Sequence, residues 1–185
     1  MKEIKNPVGK FLDPVAIIAQ LDVAKGSLVA DFGCGPGYFT FPFAKAVGSK
    51  GIVYSFDILP QVLETVSSRA KFSGINNISA RRANLEKVNG TKLGNDSVDW
   101  VILKDILFQN QKKQAIIQEA YRILKAGGKI LVIEWSLKDL TIGPELGVRI
   151  AEDKLREMFE IENFSIGKLI EAGGFHNAFV ATKNK

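Results

Sequence analysis

The chain has 185 residues, 46% of them apolar and 24% charged, with a formal net charge of +5. A chain of this length buries roughly 70% of its unfolded surface, so one globular domain with a sizeable core is expected. No run approaches the ~18 consecutive apolar residues of a membrane span, and the single cysteine, Cys34, excludes an internal disulfide and a thiolate zinc cluster. The opening residues, MKEIKNPVGKF, carry lysines with no apolar stretch behind them, which reads as a cytoplasmic protein. Arg81–Arg82 and Lys112–Lys113 are doublets in an otherwise scattered set of basic residues, so the positive balance describes a solvated surface.

In chain order, Asp13 followed by Pro14 marks the cap and first turn of a helix over Pro14–Leu21. The run SLVADF then reads as a strand and leads through three glycines into a helix, Tyr38–Val47, closed by Gly48. GIVYSFD is a second strand, followed by a helix over Gln61–Phe72 that Gly74 ends. NISARR and SVDWVILK are strands, and Gln111–Leu124 is a helix closed by Gly127 before the strand GGKILVIEW. These runs are apolar at nearly every position, as parallel strands covered on both faces must be. Strand alternating with helix implies a doubly wound parallel sheet. The end of the chain differs: after a short helix, Ala151–Phe159, come FSIGKLIE and FHNAFVAT separated by AGG, an antiparallel β-hairpin.

In a doubly wound sheet, ligands bind outside the carboxyl ends of the strands, and the turn after the first strand is the usual contact point. Gly33, Gly35 and Gly37 occupy that turn, where missing Cβ atoms permit unusual backbone angles and let a ligand touch the main chain. A dinucleotide fingerprint would need glycine at position 38, which is Tyr38, so the nicotinamide reading fails on register. The second strand ends in Asp57, whose carboxylate can accept both hydroxyls of a ribose. The competing reading of Asp57 is a cap for the helix beginning near Pro60.

VADFGCGPG, VYSFD, ARRANLE, SVDWVILKDIL and EAYRILKAGGKILVIEW resemble, in order and spacing, the successive motifs of class I S-adenosylmethionine-dependent methyltransferases. The likeness is greatest to small members of the methyltransferase type 11 kind, relatives of the quinone-biosynthesis methyltransferases. The resemblance implies a Rossmann-like α/β/α domain with a seven-stranded sheet whose last strand is antiparallel. Its parts would be an N-terminal segment and helix over 1–22, a cofactor-binding core over 23–135, a lid over 136–150, and a helix with the closing hairpin over 151–185. It assigns Asp31 and the loop Gly33, Cys34, Gly35 and Gly37 to the methionine portion of S-adenosylmethionine. Asp57 would hold the ribose and Ile58 would lie against the adenine. Asn84 stands where the family often has an acidic residue for the adenine amino group, and Leu85 would serve the ring through its backbone. Leu103 and Lys104 would offer carbonyls to the cofactor's ammonium; the Lys104 side chain itself is repelled by a sulfonium.

Methyl transfer from a sulfonium needs a positioned nucleophile and exclusion of water more than a dedicated catalytic group. Where a base helps, the candidates are Asp105, Glu134 and His176. Each has a plain alternative: Asp105 a loop cap, Glu134 a surface or ion-paired residue, His176 a structural or exposed residue beside the Gly-Gly turn. Trp100 reads as core and Trp135 as a wall of the acceptor pocket. Ser136–Val148, the longest Gly- and Pro-bearing connection, is expected to be a lid, with Lys2–Leu12 as a second wall anchored by Phe11. KDIL follows the fourth strand in place of the Pro-Pro-aromatic motif of base amine methylation. One cysteine inside the glycine loop argues against cytosine C5 and arsenic methylation. A small organic acceptor on a monomeric enzyme without nucleic acid is therefore the expectation. The alternatives are an RNA or ribosome methyltransferase and a non-catalytic cofactor-binding subunit.

Overall fold

The strand-like runs assemble into one seven-stranded sheet in the computed structural model, which describes residues 11–138 and 142–185. The strands are β1 (Leu28–Phe32), β2 (Ile52–Asp57), β3 (Ile78–Arg82), β4 (Val98–Lys104), β5 (Leu124–Trp135), β6 (Phe164–Leu169) and β7 (His176–Lys183). Their spatial order is β3-β2-β1-β4-β5-β7-β6; the first five are parallel, and β7 runs antiparallel to both β5 and β6. The expected sheet with an antiparallel last strand is therefore present. The Gly-Gly segment does not make a tight turn, because residues 170–175 form a longer connection.

Helices α1 (Pro14–Ile18), α2 (Thr40–Val47), α3 (Pro60–Phe72), α4 (Lys113–Ile123) and α5 (Glu152–Ile161) cover the sheet. Neighbouring strand residues point to opposite faces, which divides the core. Ala30, Val101, Leu103 and Val132 pack with Ile116 of α4 and Phe159 of α5, whereas Val29, Ile102 and Leu131 pack with Ile17 of α1 and Phe43 of α2. Both faces need apolar cover, which is why the parallel strands show little alternation. Among the described residues no helix is long and apolar enough to cross a membrane.

The boundaries shift where a tertiary contact competes with the local pattern. Asp13 caps α1 as expected, accepting from the Val15 and Ala16 amides at 2.9 and 3.4 Å. The helix stops at Ile18 rather than Leu21 because Gln20 and Leu21 turn back onto Ile17 and Ile18, and the Gln20 amide reaches the Glu171 carbonyl at 3.0 Å. Helix α4 starts at Lys113 because the Lys112 amide is taken by the Glu86 carboxylate at 2.8 Å. Leu124 is extended, with φ −69° and ψ 136°, and pairs with Val98, so β5 begins before Gly127 and carries an irregularity there.

The connection from β3 to β4 is fastened to α4 by a buried acid. Glu119 accepts from the Thr91 amide (3.0 Å), the Thr91 hydroxyl (2.6 Å) and Arg122 (2.8 Å), while Arg122 also donates to the Leu93 carbonyl at 2.8 Å. Burial pushes the Glu119 carboxyl up, but the bonds from Arg122 and Thr91 outweigh it and leave its pKa lowered. This connection begins with Ala83, Asn84 and Leu85, so the clasp also fixes one wall of the site.

Candidate functional site

The strand order reverses between β1 and β4, and a cleft of about 420 Å³ opens beside the carboxyl ends of β1, β2 and β3. The sequence-predicted Gly33, Gly35, Asp57, Ile58, Asn84 and Leu85 all line it. All three motif glycines have positive φ: 67° at Gly33, 51° at Gly35 and 89° at Gly37. Their surroundings differ. A Cβ on Gly33 would lie 2.6 Å from Ile106 Cδ1 and one on Gly37 2.5 Å from Phe41, so these two glycines serve packing. Only beside Gly35 is the space open, with nothing within 4 Å. Gly33 and Gly35 thus both line the cleft, Gly33 packed against Ile106 and Gly35 with open space beside it, whereas Gly37 packs against Phe41 away from it.

Asp57 ties the entrance of α3 to the glycine turn. Its Oδ1 accepts from the Leu59 amide at 3.0 Å, at the entrance to α3, and its Oδ2 accepts from the Gly35 amide at 3.1 Å. A carboxylate offers about four acceptor directions, so two remain for a ribose diol. Ile58 is 47% exposed beside it and supplies an apolar surface for a base. Asn84 Oδ1 accepts from the Glu86 amide at 3.0 Å, which fixes the side chain and uses part of the oxygen that was expected to face an adenine amino group. The open space at Gly35, the half-satisfied carboxylate and the apolar ledge fit S-adenosylmethionine.

The remaining cofactor candidates do not line this cleft. Asp31 is buried; its Oδ2 accepts from the Thr40 hydroxyl at 2.6 Å, and Ser55 donates to Thr40 in turn. Burial pushes its carboxyl up to about 6 despite the Thr40 bond, with the Asp57 charge adding to the rise. Leu103 lies in the core, and Lys104 pairs with Asp105 at 2.5 Å. Cys34 is 5% exposed among Phe41, Leu63 and Val66, and burial pushes its thiol far up. Because the thiolate is the reactive form, native protein should label with a thiol reagent more than about 100-fold slower than denatured protein; comparable rates would place Cys34 at an open surface.

Sequence reading missed Gln109 and Asn110, which form the far wall of the cleft. Both amides bond back to carbonyls four residues earlier, Gln109 to Asp105 at 2.8 Å and Asn110 to Ile106 at 2.7 Å, so this turn is braced by its own side chains. The polar run FQNQ was the available signal, but its spacing does not show which wall it reaches.

The three proposed base candidates cluster where β4 and β5 end and β7 begins. Asp105 has φ 55°, its Oδ2 faces Lys104, and the His176 ring Nε2 lies 3.3 and 3.4 Å from its two oxygens. Glu134 is not exposed, and it has no ion-pair partner among the described residues: it is 1% exposed, and its Oε1 accepts from the Leu107 amide at 2.6 Å. Burial pushes its carboxyl up to about 7, against the Leu107 bond, and the Asp105 charge adds to the rise. His176 is not a surface residue either, with a side chain 7% exposed and stacked on Trp135 at 4.3 Å between centroids. Trp100 is core, as expected.

The connection after β5 is held by a residue without a prior signal. Arg149 donates to the carbonyls of Ser136 (2.9 Å), Lys138 (3.0 Å), Ile142 (3.1 Å) and Pro144 (2.9 Å), and its guanidinium lies 5.6 Å from the Trp135 ring centroid. The expected lid over 136–150 is thus fastened over Trp135 at both of its described ends; residues 139–141 lie outside the described residues. So do residues 1–10 of the expected N-terminal wall, while Phe11 stacks on Phe175 at 5.5 Å. Arg149→Ala should make this connection the preferred site of limited proteolysis and cost roughly 1–3 kcal/mol of stability. Arg149→Lys should not restore resistance, since an ammonium cannot fan across four carbonyls.

A family model described as a methyltransferase domain matches residues 24–173. The ubiquinone/menaquinone biosynthesis C-methyltransferase of Blochmanniella floridana is 30% identical over 80% of this chain, which spans 62% of that protein's length. An arsenite methyltransferase of Aquipseudomonas alcaligenes is 28% identical over 57% of this chain and 32% of its own length. A SAM-dependent methyltransferase from Aquifex aeolicus superposes with a TM-score of 0.85 at 20% identity, covering 93% of this chain and 90% of that one. With the motifs, the sheet order and the cleft in agreement, the chain belongs to the class I S-adenosylmethionine-dependent methyltransferases, in the methyltransferase-domain family related to the quinone-biosynthesis enzymes.

Proposed function

We propose that the protein transfers a methyl group from S-adenosylmethionine to a small-molecule acceptor bound where β4, β5 and β7 meet. The observation that carries this reading is the junction of two sites through one turn. Ile106 fills the space beside Gly33, while its neighbour Asp105 faces His176. A cofactor at Gly35 and Asp57 and an acceptor beside His176 would therefore be held against the same turn. S-adenosylmethionine supplies an activated methyl group when bound. The chain's own residues hold the ribose at Asp57, keep the turn in shape through Glu134 and the Leu107 amide, and exclude water beneath Trp135 and the Arg149-held connection.

The quinone-biosynthesis relative favours an aromatic acceptor. The arsenite relative weighs less, because the one cysteine here is buried and its thiol protonated. Calorimetric titration with S-adenosylmethionine and S-adenosylhomocysteine tests the cofactor half. Micromolar binding supports the reading and allows acceptors to be screened by release of S-adenosylhomocysteine; absence of binding to folded protein overturns it.

A further inference from the structure

Four buried side-chain polar atoms among the described residues have no hydrogen-bond partner: Asp105 Oδ1, Glu134 Oε2, Ser136 Oγ and His176 Nδ1. All four belong to the ends of β4 and β5 and the start of β7. Buried polar atoms are normally paired, and elsewhere among the described residues they are, as at Asp31–Thr40 and Glu119–Arg122. Unpaired groups concentrated in one place mark a surface completed by a polar ligand.

The imidazole has a defined orientation within this group. Its Nε2 faces the Asp105 carboxylate at 3.3 and 3.4 Å, and its ring is held against Trp135. The tautomer protonated at Nε2 donates to that carboxylate, whereas the other would set a lone pair against a negative oxygen. Nδ1 therefore carries the free lone pair. Asp105 is held in turn by Lys104 at 2.5 Å and by its own amide, which donates to the Ile133 carbonyl at 2.8 Å. Its left-handed backbone is an uncommon conformation for a residue other than glycine and is of the kind found where a side chain must be aimed.

We propose that His176 is the catalytic base, taking the proton of a phenolic or enolic hydroxyl on the acceptor at Nδ1, with Asp105 as the positioning residue. This rests on the methyl-transfer reading above. In the step, the acceptor's O–H bond breaks, its electron pair stays on oxygen, and an N–H bond forms at Nδ1; Asp105 offsets the imidazolium charge. A phenolic or enolic hydroxyl is acidic enough for an imidazole to relieve it of its proton during reaction, whereas an aliphatic alcohol lies out of reach. The oxygen then presents the pair that accepts the methyl group.

His176 is the only histidine in the chain, so heteronuclear proton–nitrogen spectra read its tautomer without ambiguity. At mildly alkaline pH, with S-adenosylhomocysteine bound, Nε2 should be the protonated nitrogen and Nδ1 the bare one. Asp105→Asn should abolish that preference, and millimolar catechol or 2-naphthol should shift the Nδ1 resonance toward the protonated value. A wild-type imidazole protonated at Nδ1, or an Nδ1 resonance that neither phenol moves, overturns the assignment. Calorimetry on the same samples separates the two ideas: failure to bind S-adenosylhomocysteine would overturn the methyl-transfer reading, whereas intact binding with the wrong tautomer would overturn only the base.

Discussion

Asp57→Ala should weaken S-adenosylmethionine binding about 100-fold or more, a loss of roughly 3 kcal/mol. Two effects add. The two acceptor directions left free on the carboxylate disappear, and hydrogen bonds to a charged group are each worth about 1.5–3 kcal/mol. The Gly35 amide, which Asp57 receives at 3.1 Å, also loses its partner beside the one motif glycine that faces open space. Gly35→Ala probes the same place differently. Its φ of 51° disfavours a side chain, and the new methyl group would project into the cleft. Both variants should keep the circular-dichroism spectrum of the wild type while calorimetry records weaker binding. Unchanged affinity in folded Asp57→Ala would remove the ribose assignment.

The second large effect is on stability. Glu134→Gln should make the protein more stable than wild type above about pH 7, by roughly 1–3 kcal/mol, and leave the two nearly equal below about pH 4. The Glu134 carboxyl sits at about 7 in the fold, against an ordinary value of 4.5. Well below its ordinary value both states hold the proton and no cost arises. As pH rises through that value toward 7, the unfolded chain ionises while the fold retains its proton, so wild-type stability falls. Asp31, raised from 3.8 to about 6, contributes with the same sign at lower pH. Glutamine removes the Glu134 contribution and can still accept the Leu107 amide through its carbonyl oxygen. Denaturant midpoints across this range measure the effect. A constant difference between variant and wild type would mean that Glu134 ionises freely in the fold. Glu134→Leu should behave otherwise, destabilising at every pH, because the buried Leu107 amide is then left without an acceptor.

The same residue shows why a list of candidate bases could not be ranked from the chain alone. Glu134, Asp105 and His176 were equivalent as letters near the ends of strands. On the proposal above, Glu134, whose Oε1 accepts from the buried Leu107 amide, acts as a brace, and His176, whose Nε2 faces the Asp105 carboxylate, acts as the base. The glycines divide likewise: Gly33 and Gly37 are required by Ile106 and Phe41, and Gly35 by the space beside it.

The sequence by itself determined the strands and helices, because a parallel strand covered on both faces must be apolar at nearly every position and a helix announces itself by its period and its closing glycine. It also located Asp57, since the end of β2 lies a short, regular distance along the chain from the glycine turn. Only the tertiary structure decided the rest. Asp105 and His176 are 71 positions apart and meet because β7 lies antiparallel beside β5. Arg149 finds four carbonyls, and Glu86 supplies the Lys112 amide with an acceptor, through contacts that no local pattern encodes. Local propensity and burial pattern are properties of neighbouring residues, whereas hydrogen-bond partners and pKa values depend on which strands the sheet places side by side.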